Sequence, residues 1–137
     1  LYTGIAGVLA TLARAPDADR ALLRDTLETA RRFSRERGHE LASGGYSGFE
    51  GLLLAIAEAA IALDASEPFE DAVESLLARE DRWSPEQYDV MDGAAGLALI
   101  ALVFHRRCGD PRLLALASRL GARLLDAAQE TAHGLQW

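Results

Sequence analysis

The sequence has 137 residues, half of them hydrophobic, which is enough to bury the core of a single domain. Its 14 basic and 21 acidic residues give a net charge of −7, which argues against nucleic acid or an anionic membrane surface as the main partner. The single cysteine excludes an internal disulfide, and no segment has the apolar length of a membrane span, so we expect a cytoplasmic protein.

A glycine pair with three-residue spacing occurs three times and divides the chain into repeats. The pairs are Gly4 and Gly7, Gly48 and Gly51, and Gly93 and Gly96, with the first glycines 44 and then 45 residues apart. Thr3, Ser47 or Asp92 precedes each pair, and such side chains cap helix starts by accepting a backbone N–H bond. An apolar run follows each pair. The predicted repeats are about residues 1–45, 46–90 and 91–137.

The first repeat is predicted to be a helical hairpin. Its inner helix covers residues 4–15 and ends at a turn signal, Pro16-Asp17. Its outer helix covers residues 18–37 and ends at Gly38. The apolar residues of the outer helix recur at roughly helical spacing among charges, as expected for a helix that covers an inner one. They are Ala21, Leu22, Leu27, Ala30 and Phe33.

The second repeat shows the same order. Its inner helix is predicted over residues 48–63, and, like the apolar runs of the other two repeats, it is too continuously apolar to face water on any side. Glu50 lies in the first turn, where a carboxylate suits the helix dipole, so we favour a capping role over a site role. The outer helix, over residues 67–79, begins near Pro68. Its predicted buried stripe is Phe69, Ala72, Val73, Leu76 and Leu77.

The third repeat follows the longest irregular stretch, residues 80–92, and long polar loops in helical arrays often carry function. Its inner helix is predicted over residues 93–108 and ends at Gly109-Asp110-Pro111, which combines a stop, a cap and a first-turn proline. Its outer helix is predicted over residues 111–130. The residues predicted to face inward are Leu113, Leu114, Leu116, Ala117, Leu120, Leu124 and Leu125.

No strand is predicted, so the fold class is all-α. Three inner and outer helix pairs in the same order build either an open solenoid or a closed α/α toroid. In a toroid the loops that precede the inner helices meet at one mouth. Residues 64–92 hold ten acidic residues against two arginines, a net charge of −8. That patch could attract a basic peptide, but we favour a solvated helix face.

Five segments, in order along the whole chain, carry a family resemblance. They are LYTGIAGV (1–8), GGYSGFEGLLLAIAEAA (44–60), YDVMDGAAGLALIAL (88–102), GDPRLLALASRLGARLL (109–125) and HGLQW (133–137). Together they resemble the lanthionine synthetase C-like cyclases. The closest resemblance is to the C-terminal cyclase domain of class II bifunctional lanthipeptide synthetases, in which a dehydratase domain precedes the cyclase.

The resemblance implies an α/α toroid of seven helical hairpins, of which this chain forms about the first three. We therefore expect a piece of a longer bacterial polypeptide, with the remainder of its domain as its neighbour. The implied reaction is Michael-type addition of a Cys thiol to dehydroalanine or dehydrobutyrine in a dehydrated precursor peptide. The family holds a zinc ion through two Cys and one His of later repeats, so we expect no metal ligand and no zinc in this chain.

Asp89 is the candidate catalytic residue. It matches the aspartate of the family's Tyr-Asp-Val-Ile type motif, to which the resemblance assigns acid/base work during addition. The alternative is an Asx-turn that merely organises the loop. The glycine pairs serve either helix packing, which we favour, or close approach of a substrate. Candidate substrate contacts are Tyr46, Tyr88, Gly48 and Gly93.

Cys108 and His39 match no motif of the family. His105 and Cys108 lie three residues apart on one helix, but two ligands beside Arg106 and Arg107 make a poor metal site. His133 is not equivalent to the histidine that follows the family's fourth glycine turn, and His39 lies in a polar loop.

Two other functions stay open. A non-catalytic helical repeat module could bind a peptide or protein partner on the mouth or on the acidic patch. A different α/α toroid enzyme, such as a glycosidase, would need paired carboxylates, and Asp89 and Asp92 are the only candidates. These two residues are too close in sequence to favour that reading.

Overall fold

The computed structural model describes residues 4–45, 48–79, 87–132 and 134–136. Within these ranges the chain forms six α-helices, which pack in consecutive pairs as three hairpins. The helices are α1 (Gly4–Arg14), α2 (Arg20–Arg37), α3 (Phe49–Ala62), α4 (Ser66–Leu77), α5 (Ala94–Cys108) and α6 (Pro111–Ala127). The predicted all-α fold class is confirmed.

Helix α3 forms the centre of the molecule. It packs against α1, α2 and α4, and more lightly against α5. Ten of its 14 residues are buried, from Phe49 in its first turn to Ala60 in its last. A helix that is apolar on all sides is stable only inside a core, and the prediction of a buried inner helix is confirmed for α3 except at Ile61, which is 38% exposed.

The same prediction is wrong for α1 and α5. Val8 of α1 is exposed, as are Leu99, Leu102 and Val103 of α5, with exposed fractions between 43% and 54%. The reason lies in the neighbours, because among the described helices α3 has an inner helix on each side, whereas α1 and α5 each have one on one side only.

The outer helices bury one stripe each, and the predicted stripe of α2 is wrong at its start. Leu27 and Ala30 are buried and Phe33 packs against the core, as predicted, but Leu23 is buried in place of Ala21 and Leu22, which are exposed. The α4 stripe is confirmed, with Ala72, Val73 and Leu76 buried and Phe69 and Leu77 packed against the core. In α6 the buried residues are Leu113, Leu116, Ala117 and Leu120, and the predicted inward positions of Leu114 and Leu125 are wrong because both are exposed.

The junction between α5 and α6 follows the sequence signals closely. Gly109 ends α5 in the left-handed conformation, with φ of 72°. Asp110 then caps α6 by accepting a hydrogen bond from the backbone N–H of Arg112 at 2.8 Å, and Pro111 is the first helical residue. Three adjacent residues therefore end one helix and begin the next.

The C-terminal segment differs from the prediction. Helix α6 ends at Ala127, and a short antiparallel hairpin follows, made of β1 (Gln129–Thr131) and β2 (Gly134–Gln136). Gly134 adopts a positive φ of 108°, and the Thr131 hydroxyl donates to the Gly134 carbonyl at 2.8 Å. The prediction of no strand is wrong here. A β-hairpin whose two strands have three residues each is too short to show a periodic pattern in the sequence.

Side chains join successive hairpins at the outer layer. Arg31 of α2 is buried and donates to Glu67 and Asp71 of α4 at 2.6 Å each. The Phe69 ring of α4 lies 5.6 Å from the Phe104 ring of α5, measured between centroids. The described helices include none that is long and apolar enough to cross a membrane.

Candidate functional site

Two loops that precede inner helices lie side by side. We call them the α3 loop, of which residues 41–45 are described, and the α5 loop, residues 87–93. A methyl group placed on Gly44 would stand 2.7 Å from a carboxylate oxygen of Asp92, and one on Gly45 would stand 3.3 Å from the Val90 carbonyl. The backbones of the two loops are therefore in contact, and we call the surface that these two loops form the mouth.

Both loops close over the following helix with the same hydrogen bonds. The N–H groups of Phe49 and Gly51 donate to the carbonyls of Ala42 and Gly44, at 2.9 and 3.1 Å. One repeat later, three equivalent bonds join N–H groups to carbonyls seven residues earlier. They are Ala94 to Gln87 (2.9 Å), Ala95 to Tyr88 (3.4 Å) and Gly96 to Asp89 (3.3 Å). We call this pattern the collar; it satisfies N–H groups that the first turn of a helix leaves open.

The collar replaces the side-chain caps expected from the sequence. The N-cap residues are Gly48 and Gly93, which have no side chain with which to cap a helix. The capping role predicted for Asp92 is wrong, because loop carbonyls already bind the N–H groups of the first turn. The other two predicted caps, Thr3 and Ser47, lie outside the described residues.

Gly48 and Gly93 are required by the collar. A Cβ on Gly48 would lie 2.5 Å from the Ala42 carbonyl oxygen and from the Gly44 nitrogen, and a Cβ on Gly93 would lie 2.5 Å from the Asp89 nitrogen. The second helical glycine is crowded as well, because a Cβ on Gly96 would collide with the Val90 carbonyl. These glycines have a packing role, and a substrate contact at Gly48 or Gly93 stays a prediction.

Asp89 lies exposed on the α5 loop at the mouth. Its Oδ1 accepts hydrogen bonds from the backbone N–H groups of Met91 at 2.6 Å and Asp92 at 2.8 Å, which is an Asx-turn. The N–H of Asp92, and then that of Met91, hold the pKa of the Asp89 carboxyl below its ordinary value. Both of these hydrogen bonds are to Oδ1, one of the two carboxylate oxygens.

The other predicted contacts are placed in part. Tyr88 is half-buried in the α5 loop, and its carbonyl belongs to the collar. Tyr46 lies outside the described residues. Val90 and Met91, which the sequence analysis did not select, are both about half exposed beside Asp89. The mouth therefore combines a fixed carboxylate with exposed apolar side chains.

The role of Glu50 differs from the predicted interaction with the helix dipole. Glu50 lies in the first turn of α3 but is fully buried, and its Oε2 accepts a hydrogen bond from the Gly44 N–H at 2.6 Å. Its carboxylate thus binds the α3 loop instead of acting as a simple partner of the helix dipole. Burial raises the pKa of this carboxyl, against the lowering effect of the Gly44 N–H.

Arg79 holds the other end of the α3 loop. This buried side chain donates to the carbonyls of Gly38 at 2.9 Å and Leu41 at 3.2 Å, and its Nε lies 3.6 Å from Glu50 Oε1. The guanidinium also stands 4.2 Å from the centre of the Phe49 ring. Its sequence position, just after α4 and amid acidic residues, gives no signal of burial.

The described residues do not fit a zinc site. His105 Nδ1 is within 2.9 Å of the Asp110 carbonyl oxygen, and the Cys108 thiol donates to the Phe104 carbonyl at 3.3 Å. Among described residues no group of three or more His, Cys, Asp or Glu side chains is placed to hold a metal. Asp89 and Asp92 lie in one turn and do not face each other across a cleft, which a glycosidase pair would require.

A separate cavity of about 650 Å³ lies between the second and third hairpins. It is lined by the last turns of α3 and α5 and by the first turns of α4 and α6, including Phe69, Cys108 and Arg112. None of the predicted site residues lines it. The mouth is therefore at the opposite ends of the inner helices.

The comparison with known families covers the entire chain. A family model described as "Lanthionine synthetase C-like protein" matches residues 1–137, a range that includes both loops of the mouth. No curated protein and no solved structure matches the chain. The family model is accordingly the basis on which a function can be argued, together with the geometry of the mouth.

Proposed function

The chain belongs to the lanthionine synthetase C-like family, and on that premise we propose that it forms part of a peptide cyclase. The substrate is a dehydrated precursor peptide, and the products are lanthionine and methyllanthionine rings. We further propose that the chain forms about the first three of seven hairpins of the C-terminal cyclase domain of a class II bifunctional synthetase, with the rest of the domain as its partner.

The observation that best supports this proposal is the state of Asp89. Its carboxylate is exposed at the mouth, has one oxygen fixed by two backbone N–H groups, and has a lowered pKa. The residue is therefore ionised at neutral pH and oriented by its own loop. An Asx-turn and a catalytic role are compatible, because the turn uses Oδ1 and leaves Oδ2 for chemistry.

The proposed role of Asp89 is to carry one proton during addition. A Cys sulfur of the peptide forms a bond to the β-carbon of the dehydro residue, and the electrons of the C=C bond move toward the carbonyl to give an enolate-like species. Asp89 Oδ2 takes up the thiol proton and delivers it to the α-carbon. The proton that the thiol loses is the one that the α-carbon gains, so no proton is gained or lost overall.

The substrate contacts are proposed from the same surface. Val90 and Met91 flank Asp89 and offer exposed apolar area to peptide side chains. Tyr46, Tyr88, Gly48 and Gly93 remain candidate contacts. Zinc ligands, as the family implies, would come from outside this chain, so we derive no step through a metal here.

The test is Asp89→Asn in the full-length protein with a dehydrated precursor peptide. We expect ring formation to slow by about 10²- to 10⁴-fold, as for loss of a general acid/base, because the amide keeps the shape but cannot carry the proton. Zinc content should stay at the parental value. Asp126→Asn, which changes an exposed carboxylate of α6 that belongs to neither loop of the mouth, is the matched control.

Rings that form at the parental rate in Asp89→Asn would show that Asp89 is not catalytic. If the parental protein binds the dehydrated peptide and yet makes no ring, the function is that of a binding module. Mass spectrometry after thiol alkylation distinguishes these results, because each ring consumes one free Cys thiol.

A further inference from the structure

We propose that Glu50 is a positioning residue that holds the Asp89 turn in place through the α3 loop. The effect of Glu50 on catalysis rests on the proposed function, whereas its effect on the position of the two loops does not. The inference follows three contacts that run from the buried carboxylate of Glu50 to the exposed carboxylate of Asp89.

The first contact fixes the α3 loop to α3. Glu50 is fully buried, and its Oε2 binds the Gly44 N–H at 2.6 Å. A hydrogen bond to a buried carboxylate is stronger than one between neutral groups, because it is charge-assisted and lies in surroundings of low dielectric constant. The position of Gly44 is therefore set by a side chain of the central helix.

The second contact fixes the α5 loop to the α3 loop. Gly44 lies so close to the α5 loop that even a methyl group on it would come within 2.7 Å of an Asp92 carboxylate oxygen and 3.2 Å of the Met91 carbonyl oxygen. Packing this tight transmits a displacement of one loop directly to the other. Asp92 and Met91 cannot move toward Gly44.

The third contact orients Asp89. The N–H groups that hold its Oδ1 belong to Met91 and Asp92, the same two residues that Gly44 packs against. A shift of their backbone therefore rotates or releases the Asp89 carboxylate. Arg79 completes the arrangement, because it binds the carbonyls of Gly38 and Leu41 at the other end of the α3 loop.

The third repeat shows that the collar does not itself need a carboxylate. Ala95 occupies the position equivalent to Glu50, 45 residues later, and the collar of α5 forms with an alanine there. Burying a charged group costs free energy. If the residue at this position served only to close the loop, we would therefore expect it to be apolar. Glu50 is thus specific to the repeat whose loop supports the Asp89 turn.

The test compares Glu50→Ala with Glu50→Gln in the full-length protein, using hydrogen exchange followed by mass spectrometry on peptides that cover residues 87–96. Glu50→Ala removes the acceptor for Gly44, and we expect those peptides to exchange about tenfold faster. Glu50→Gln keeps an acceptor oxygen and should retain the parental rate. Glu58→Gln, which alters the other charge of α3 and its pair with Arg14, should leave residues 87–96 unchanged.

Gly44→Ala tests the contact between the two loops without changing Glu50. It replaces Glu50→Ala as the test if that variant does not fold. Its methyl group should push the α5 loop away and speed exchange over residues 87–96. Parental exchange over these residues in folded Glu50→Ala, or in Gly44→Ala, overturns the inference.

Kinetics of ring formation add the catalytic part. In Glu50→Ala we expect kcat to fall about tenfold with KM within about twofold of the parental value, and Glu50→Gln to restore most of kcat. If exchange changes as expected but Asp89→Asn makes rings at the parental rate, the proposed function of Asp89 fails while the positioning role stands. If exchange does not change, the positioning role fails independently of the function.

Discussion

Gly48 and Gly93 show how one residue type can be dictated by backbone packing alone. Neither has a positive φ, so conformational freedom is not the reason for glycine at these two positions. The reason is space, because a loop backbone passes within 2.5 Å of where a Cβ would stand. Equivalent atoms crowd both glycines, namely the carbonyl oxygen of the residue six positions earlier and the backbone nitrogen of the residue four positions earlier. The regular glycine spacing therefore reflects a repeated loop geometry.

The different space around Gly93 and Gly121 predicts opposite effects for alanine substitutions at these two positions. Gly93→Ala should lower the free energy of unfolding by about 1–3 kcal/mol, because the methyl group has to displace the α5 loop. Gly121→Ala, in α6, should raise it by up to about 1 kcal/mol, because nothing lies within 4 Å of the new methyl group and alanine favours the helix. Urea unfolding followed by circular dichroism measures both; equal effects would contradict the packing argument.

The residues of the mouth divide into those that a pattern reveals and those that it does not. Asp89 stands out through its motif, and its Asx-turn is the local alternative expected for an Asp at that place. Glu50 and Arg79 do not stand out, because a charged residue near a helix end usually faces water. Their burial depends on where the α3 loop lies, which is a tertiary feature.

At the level of helices, the sequence predicts ends better than faces. The signals at residues 109–111 each act on the local backbone, so they place the α5–α6 junction correctly. The buried face of α2 is harder to predict, because Ala21, Leu22 and Leu23 are consecutive and any of them could begin an apolar stripe. Packing against α1 and α3 selects Leu23.

The two adjacent leucines give a matched test of this register. Leu23 is 3% exposed and Leu22 is 51% exposed. Leu23→Ala should lower the free energy of unfolding by about 2–5 kcal/mol through loss of core contacts and the cavity that remains. Leu22→Ala should cost less than about 1 kcal/mol. The reverse order in thermal or urea unfolding would show that α2 packs in the register expected from the sequence.

Three acidic residues of the patch, Glu67, Asp71 and Glu74, form ion pairs between helices. Glu67 and Asp71 of α4 bind Arg31, and Glu74 of α4 binds Arg112 of α6. The Arg112–Glu74 pair is exposed and contributes little by itself, whereas the guanidinium of Arg31 is buried. Together the pairs join α4 to each of its two outer neighbours. The sequence reveals the excess of acids but not these partners, which are 36 to 40 residues away.

On the scale of the whole molecule, the described carboxyl groups with shifted pKa values respond to pH in two opposite ways. Arg37, Arg112 and backbone N–H groups lower the pKa of Glu40, Asp110 and Asp89, respectively. Each of these contributes stability at neutral pH that is lost as the pH falls through its lowered pKa. Glu50 acts in the other direction, because burial raises its pKa above the ordinary value of 4.5.

Glu50→Gln should therefore change the pH dependence of stability in a definite direction. Between pH 4.5 and the raised pKa, the folded protein binds more protons at Glu50 than the unfolded protein does. The contribution of Glu50 is fully present below pH 4.5 and is lost as the pH rises through this window. The parental protein should consequently lose stability relative to Glu50→Gln as the pH rises.

Urea unfolding of both proteins at several pH values measures this difference, with Asp126→Asn as the control. A difference that is constant from acid to neutral pH would mean that Glu50 has an ordinary pKa in the folded protein. A difference of the opposite sign would mean that the bonds from Gly44 and Arg79 outweigh burial.

The collar also bears on the order in which the chain becomes structured. Each of its hydrogen bonds joins residues only seven apart, and each hairpin pairs helices that are adjacent in sequence. Contacts of such short separation form with little loss of chain entropy and therefore form fast. During synthesis from the N-terminus, the α3 loop and its helix can close before the α5 loop has left the ribosome, so the surface against which the Asp89 turn packs exists before that turn is made.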